Sequence, residues 1–278
     1  MTNRLPTPAP RTAARTASRP AARPRLAARP GRRPLPAGLL PGLIAAATAV
    51  YGVGVLWVHD LAFALTAFAG LGIAAALILA GALHHHPHAR FGAANQITLA
   101  RATGAALLAG LVTAPQALGL NGLAGWLPFA GAAALLLLDL CDGALARRQG
   151  LASAFGARFD QEVDAAAILV LSALSVQLAG APVWTLGIGA LHYLYRLAGW
   201  LVPALARPLP YSLRRRIVCG IQIAALGVLL APATPADWIA PVAAVALAAL
   251  TLSFLRDGLR CLSRGRSATP VRARRAGA

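Results

Sequence analysis

Eight stretches of about 20 mainly apolar residues, near 38–57, 61–83, 96–114, 122–141, 160–180, 183–205, 217–233 and 238–256, leave this chain few ways to fold. A helix of about 20 residues crosses the roughly 30 Å hydrocarbon core of a bilayer. Lipid offers the backbone no hydrogen-bond partner, so each such stretch must be helical. A soluble core is excluded by quantity: 58% of the 278 residues are hydrophobic and 12% charged, and the mean hydropathy is +0.65. The expected fold is an all-α, polytopic integral membrane helical bundle. Its weakest span is 217–233, which is short and closed by Pro232 and Pro235.

Charge supplies the orientation. All 26 basic residues are arginine, against eight acids, for a formal net charge of +18. Nearly all of them fall in the two tails and in the expected loops 84–95, 142–159 and 206–216, whereas 58–60, 115–121, 181–182 and 234–237 hold none. This positive-inside pattern predicts that both termini and the arginine-rich loops are cytoplasmic. Residues 1–36 carry nine arginines and no acid, and are expected to be a disordered tail lying on anionic lipid. Residues 259–278 are expected to be a second basic, disordered tail. Arg32-Arg33 resembles an export signal and the tail a transit peptide, but many spans follow without a clear cleavage site, so a basic anchor is favoured. No nucleic-acid partner is expected, because the arginines follow tails and loops and form no recognisable module. The cluster His84-His85-His86-Pro87-His88 lacks an accompanying Cys or acid and reads as a loop. Cys141, Cys219 and Cys261 are too few and scattered for a disulfide framework and read as reduced and incidental.

Five of the eight acids fall between residues 139 and 164. On a helix, Asp139, Asp142, Gly143 and Ala146 share one face, with Arg147 one step round, and Gly156, Asp160 and Asp164 share another. Glu162 lies about 200° round from Asp160 and is excluded from the site. Two helices meeting on these faces would bring four carboxylates together, an arrangement that repulsion forbids unless cations lie between them. Capping of membrane helices by acids requires neither this count nor this spacing.

The string Asp139-x2-Asp142-Gly143-x2-Ala146-Arg147-x8-Gly156-x3-Asp160-x3-Asp164 resembles the full signature of the CDP-alcohol phosphotransferase family, with no fixed position departing from it. Asn95-Gln96-Ile97-Thr98-Leu99-Ala100-Arg101 is similar to the looser opening of that family's first core helix. The resemblance implies a six-helix core over 90–258, with two additional transmembrane helices over 37–89. It further implies an enzyme that moves a phosphatidyl group from CDP-diacylglycerol to a polar alcohol with release of CMP, in phospholipid synthesis. The positive-inside pattern puts the carboxylate site on the cytoplasmic side, and a bacterial-type inner membrane is expected. By the same resemblance Asp139, Asp142, Asp160 and Asp164 hold metal, Asp164 is also the general base, and a homodimer is implied. Mg²⁺ suits an all-oxygen site best, with Mn²⁺ an alternative, and two ions are expected. The donor is assigned to Asp142, Gly143, Ala146, Arg147, Gly156, Asn95, Thr98 and Arg101.

Arg101 and Arg196 are arginines inside expected spans, where charge is costly and a polar or anionic partner is the default expectation. A snorkelling Arg101 near the helix end is the competing reading. Arg196, Arg207 and Arg214 are candidate ligands for an anionic acceptor, and a phosphorylated polyol is favoured over serine on charge alone. The same signature also serves a CDP-amino alcohol donor with diacylglycerol as acceptor. A cation transporter would place its acids near the bilayer midplane, whereas these lie at span ends. A non-catalytic scaffold has no need for four aspartates in register.

Overall fold

The computed structural model describes residues 35–85, 88–119, 121–149, 153–205 and 212–266. Among these are eight α-helices and no strand: α1 (Leu39–Tyr51), α2 (Leu61–His85), α3 (Ala93–Thr113), α4 (Leu127–Gln149), α5 (Ala154–Leu178), α6 (Leu186–Leu201), α7 (Leu213–Leu229) and α8 (Ala236–Arg266). A π-helical segment, Gly52–Trp57, prolongs α1. Six helical stretches are long and apolar enough to cross a membrane: Leu39–Trp57, Leu61–Gly81, Ala93–Thr113, Gly122–Cys141, Ala154–Leu178 and Ala236–Ser263. The chain is an integral membrane protein with a helical bundle fold.

The expected spans 183–205 and 217–233 are the exceptions to that length, because α6 has 16 residues and α7 has 17. Helix α7 starts at Leu213, taking Arg214 to Arg216 into its first turn, and stops at Leu229. Pro232 and Pro235 lack an N–H and disfavour helical backbone before them, so the chain turns there. The Thr234 hydroxyl donates to the Val228 carbonyl at 2.5 Å and closes the turn.

Helix α3 is the axis of the bundle and packs against α1, α2, α4 and α5. Its buried residues, among them Leu99, Arg101, Ala105, Leu108 and Leu111, cover most of its circumference, and it is the most buried of the six crossing stretches. Without a hydrophobic drive inside lipid, helices associate where small residues allow close approach. Here Gly70 lies on Ala106, and Gly110 lies under the Phe63 ring. Helix α5 packs on α3, α6 and α7, and α7 packs on α4 and α8. The two leading helices are laced to α3 at one end: Gln96 Nε2 donates to the Gly38 carbonyl at 2.5 Å, and the Ala37 carbonyl accepts from the Phe91 N–H at 2.9 Å.

Several further boundaries differ from expectation. Helix α5 begins at Ala154 instead of 160, because Ser153 is its N-cap and the Ser153 hydroxyl accepts from the Gly156 N–H at 3.0 Å. Asp160 and Asp164 therefore lie about two and three turns inside the helix. Helix α4 continues to Gln149, so most of the expected loop 142–159 is helical. Helix α8 continues to Arg266, which corrects the expected tail over 259–266. Cys261 is buried beside Tyr195 and anchors that extension, while Arg256 and Arg260 occupy an exposed face. Helix α2 reaches His85, so His84 and His85 end a helix; His86 and Pro87 lie outside the described residues, as do residues 1–34 and 267–278 of the tails.

Candidate active site

Asp139, midway along α4, and Asp160 and Asp164, two to three turns inside α5, converge, with one ligand oxygen from each lying within 4.8 Å of the others. Arg101 from α3 stands among them, only 1% exposed. Its Nη1 is 2.5 Å from Asp160 Oδ1 and 3.2 Å from Asp139 Oδ1, and its Nη2 donates to Asp164 Oδ1. A buried guanidinium needs such partners, since removing an ion from water costs several kcal/mol that only well-placed opposite charge recovers. Arg101 therefore has the anionic partners expected of an intramembrane arginine and does not snorkel.

The donor set fits a hard divalent cation. Octahedral Mg²⁺ with bonds of about 2.1 Å sets its ligand oxygens roughly 3 Å apart when adjacent and about 4.2 Å when opposite. Three carboxylate oxygens within 4.8 Å of one another lie close to that range. Asp139, 5% exposed, also carries an Oδ1 atom that is buried and accepts no hydrogen bond. Such an oxygen suits a cation.

The other expected residues fall out as follows. Asn95 and Thr98 are buried on α3 beside Arg101. Asn95 Nδ2 donates to the Phe91 carbonyl at 2.5 Å, and Thr98 Oγ1 donates to the Ala94 carbonyl at 3.1 Å. At Gly156 a Cβ would meet Asn95 Oδ1 at 2.8 Å, so the space expected there for the donor is taken by the Asn95 amide, and glycine is needed for that approach. Asp142, Gly143, Ala146 and Arg147 lie on α4, but their side chains are outside the described residues, as is all of Arg207. Arg196 pairs with Glu162, the acid set aside because it faces away from the cluster.

Arg214 does not point at the aspartates. Its Nη1 donates to Ser253 Oγ at 2.5 Å and its Nη2 to Asp257 Oδ1 at 2.6 Å, so α7 is clipped to α8. Asp257 is 5% exposed and went unnoticed in the sequence, although an acid one turn from a serine in so acid-poor a chain was the available signal. Substitution of Asp257 by Asn is expected to lower stability by about 1.5–3 kcal/mol, the range for hydrogen bonds to charged groups, read as a lower melting temperature in detergent. Arg216 is the member of the run that reaches the cluster: its Nη2 donates to the Asp139 carbonyl at 2.8 Å and stands 3.7 Å from Asp139 Oδ1. Cys219, read as incidental, has its Sγ 3.4 Å from Asp164 Oδ2. A one-turn offset from Arg216 on α7 places it there, a relation visible only once α7 is known to pack on α4 and α5.

Comparison with known proteins adds one finding. Neither the curated proteins nor the solved structures yield a match. The family described as CDP-alcohol phosphatidyltransferase matches residues 91–252, more than half of the chain, from the residues just before α3 into α8. That match covers Arg101 and all the clustered aspartates, and with it the chain belongs to the CDP-alcohol phosphatidyltransferase family.

Proposed function

We propose that the protein transfers a phosphatidyl group from CDP-diacylglycerol to a polar alcohol and releases CMP, with a phosphorylated polyol as the favoured acceptor. The observation that carries this reading is the meeting of Asp139, Asp160 and Asp164 in one cluster of carboxylates beside Arg101 and Arg216, in a member of this family. The arginine distribution favours a cytoplasmic site with both termini inside, in a bacterial-type inner membrane. The family likeness favours a homodimer.

Asp139, Asp142, Asp160 and Asp164 would hold Mg²⁺, or Mn²⁺ in its place, and four carboxylates suit two ions. When bound, such ions neutralise the donor diphosphate and stabilise the leaving phosphate of CMP. Asp164 accepts the proton of the acceptor hydroxyl as its oxygen bonds to the phosphatidyl phosphorus and the bond from that phosphorus to the CMP oxygen breaks. Arg147 offers a planar fork to the donor phosphate, and Gly143 and Ala146 leave room beside it. Asn95 and Thr98 hold the α3 face on which Arg101 stands. Acyl chains enter from the bilayer between helices, and the polar alcohol enters from the cytoplasm.

Of the candidate acceptor arginines, Arg214 is engaged by Asp257 and Arg196 by Glu162. Arg216, beside Asp139, is better placed than either to meet an anionic acceptor. The test is CMP release by the purified protein in detergent with Mg²⁺ and CDP-diacylglycerol, given glycerol 3-phosphate, inositol phosphate, inositol or serine separately. Release with a phosphorylated polyol, abolished by EDTA, is expected. Release only from a CDP-amino alcohol with diacylglycerol would reverse the lipid role. No turnover and no binding of CDP-diacylglycerol would refute the enzyme reading.

A further inference from the structure

We propose that Arg101 is the resident counter-cation of the carboxylate cluster, and that it competes with a divalent metal ion for the same three aspartates. The inference rests on the reading that these aspartates hold the metal.

Arg101 reaches Asp139, Asp160 and Asp164 together, from a third helix. A membrane protein must fold and insert before its site is loaded, and three carboxylates alone at this depth would repel one another. The guanidinium relieves that repulsion in the metal-free protein. The same placement works against a metal ion. Arg101 donates to Oδ1 of Asp160 and of Asp164 and stands 3.2 Å from Oδ1 of Asp139, so a cation using those oxygens contends with the guanidinium for all three, two of them already hydrogen-bonded to it. A cation using the second oxygen of each carboxylate would still lie within a carboxylate's width of a positive charge. A divalent ion feels twice the repulsion that a monovalent one would, and in this buried setting solvent screens little of it. Preorganisation by Arg101 acts in the opposite direction, but it aligns side chains that α4 and α5 already place, so the charge effect dominates. The metal-free protein then takes up cation weakly until an anion draws Arg101 off the aspartates. The diphosphate of a CDP donor is such an anion.

The experiment is titration with Mn²⁺, free ion followed by electron paramagnetic resonance, on the full chain in detergent without nucleotide or donor lipid. Wild type is compared with Arg101→Gln, which removes the charge, and with Arg101→Lys, which keeps it on a single ammonium with fewer contacts. Expected is Mn²⁺ binding at least tenfold tighter in Arg101→Gln, with Arg101→Lys between it and wild type. Arg101→Gln should also melt lower than wild type in EDTA and gain more from added Mn²⁺. Equal or weaker binding in Arg101→Gln would overturn the competition and leave Arg101 as an orienting or donor-binding residue. Should Arg101→Gln be unfolded in EDTA, its recovery on adding Mn²⁺ supports the proposal. Should it not recover, tighter binding by Arg101→Lys than by wild type supports the proposal, and equal or weaker binding overturns it. Failure of all three proteins to bind Mn²⁺ would overturn the metal reading itself, and the competition with it, whereas equal binding by all three overturns the competition alone.

Discussion

Asp164→Asn is expected to slow CMP release by roughly 10²–10⁴-fold, the contribution of a positioned general base, while the protein stays folded. Asn matches Asp in shape, and its amide oxygen still accepts from Arg101 Nη2, so the contact between α3 and α5 survives. What is lost is the charge and the capacity to take a proton. The two roles assigned to Asp164 separate kinetically. If it acts mainly as base, kcat falls while the Mg²⁺ concentration for half-maximal rate changes little. If it acts mainly as a metal ligand, that concentration rises and excess Mg²⁺ restores much of the rate. Unchanged turnover at every Mg²⁺ concentration would remove Asp164 from the chemistry. Asp160→Asn is the matched comparison, because Asp160 shares Arg101 from the same helix face but is assigned only metal.

Gly189→Val is expected to destabilise the packing of α6 on α5 strongly. A Cβ at Gly189 would run into the Cα of Leu169, and its Cδ1 and Cβ would lie at 2.9 and 3.0 Å. A flexible side-chain tip can swing aside, but a backbone atom cannot, so α6 must move off α5. Overpacking of a well-filled interface costs about 1–3 kcal/mol, and a branched residue against backbone belongs at the upper end. Helix propensity works the other way by up to about 1 kcal/mol, which is too little to reverse the sign. Gly187→Ala is the control on the same helix: its Cβ would meet Leu247 Cδ1 at 3.5 Å, an ordinary contact, so propensity alone should leave it neutral or slightly stabilising. Melting of the two variants in the same detergent decides the matter, and equal midpoints would show that α5 and α6 are not held at this contact.

The fold was legible because lipid makes helix the sole solution for each apolar run, and the aspartate register was legible because helical periodicity converts spacing into a face. That information is local. Arg101 was readable as an arginine in need of an anion, but its meeting with Asp139, Asp160 and Asp164 joins helices dozens of residues apart, which no period encodes. Asp257 and Cys219 went unrecognised for the same reason: each acquires meaning only through α7, whose neighbours are α4, α5 and α8. The ends of α4 and α5 were placed wrongly because apolar content falls near the signature. Polar helical turns continue beyond the apolar run, and the stop is set by Ser153 as a cap and not by hydropathy. Helix α8 extended past its apolar run because buried Cys261 has a partner in Tyr195.

Helix α3, which carries the buried Arg101, is the least apolar of the six crossing stretches, and it carries Asn95, Thr98, Arg101 and Thr103 facing inward. An arginine well inside a helix raises the free energy of partition from translocon to lipid by about 2.5–3.5 kcal/mol, so α3 is a poor passenger by itself. Chain order answers that difficulty. Helices α1 and α2 precede α3 in the chain, and α2 meets it where Gly70 lies on Ala106 and Phe63 on Gly110, before α4 and α5 bring the aspartates. The two leading helices, outside the family match, thus give the polar helix that follows them a packing surface made earlier in the chain.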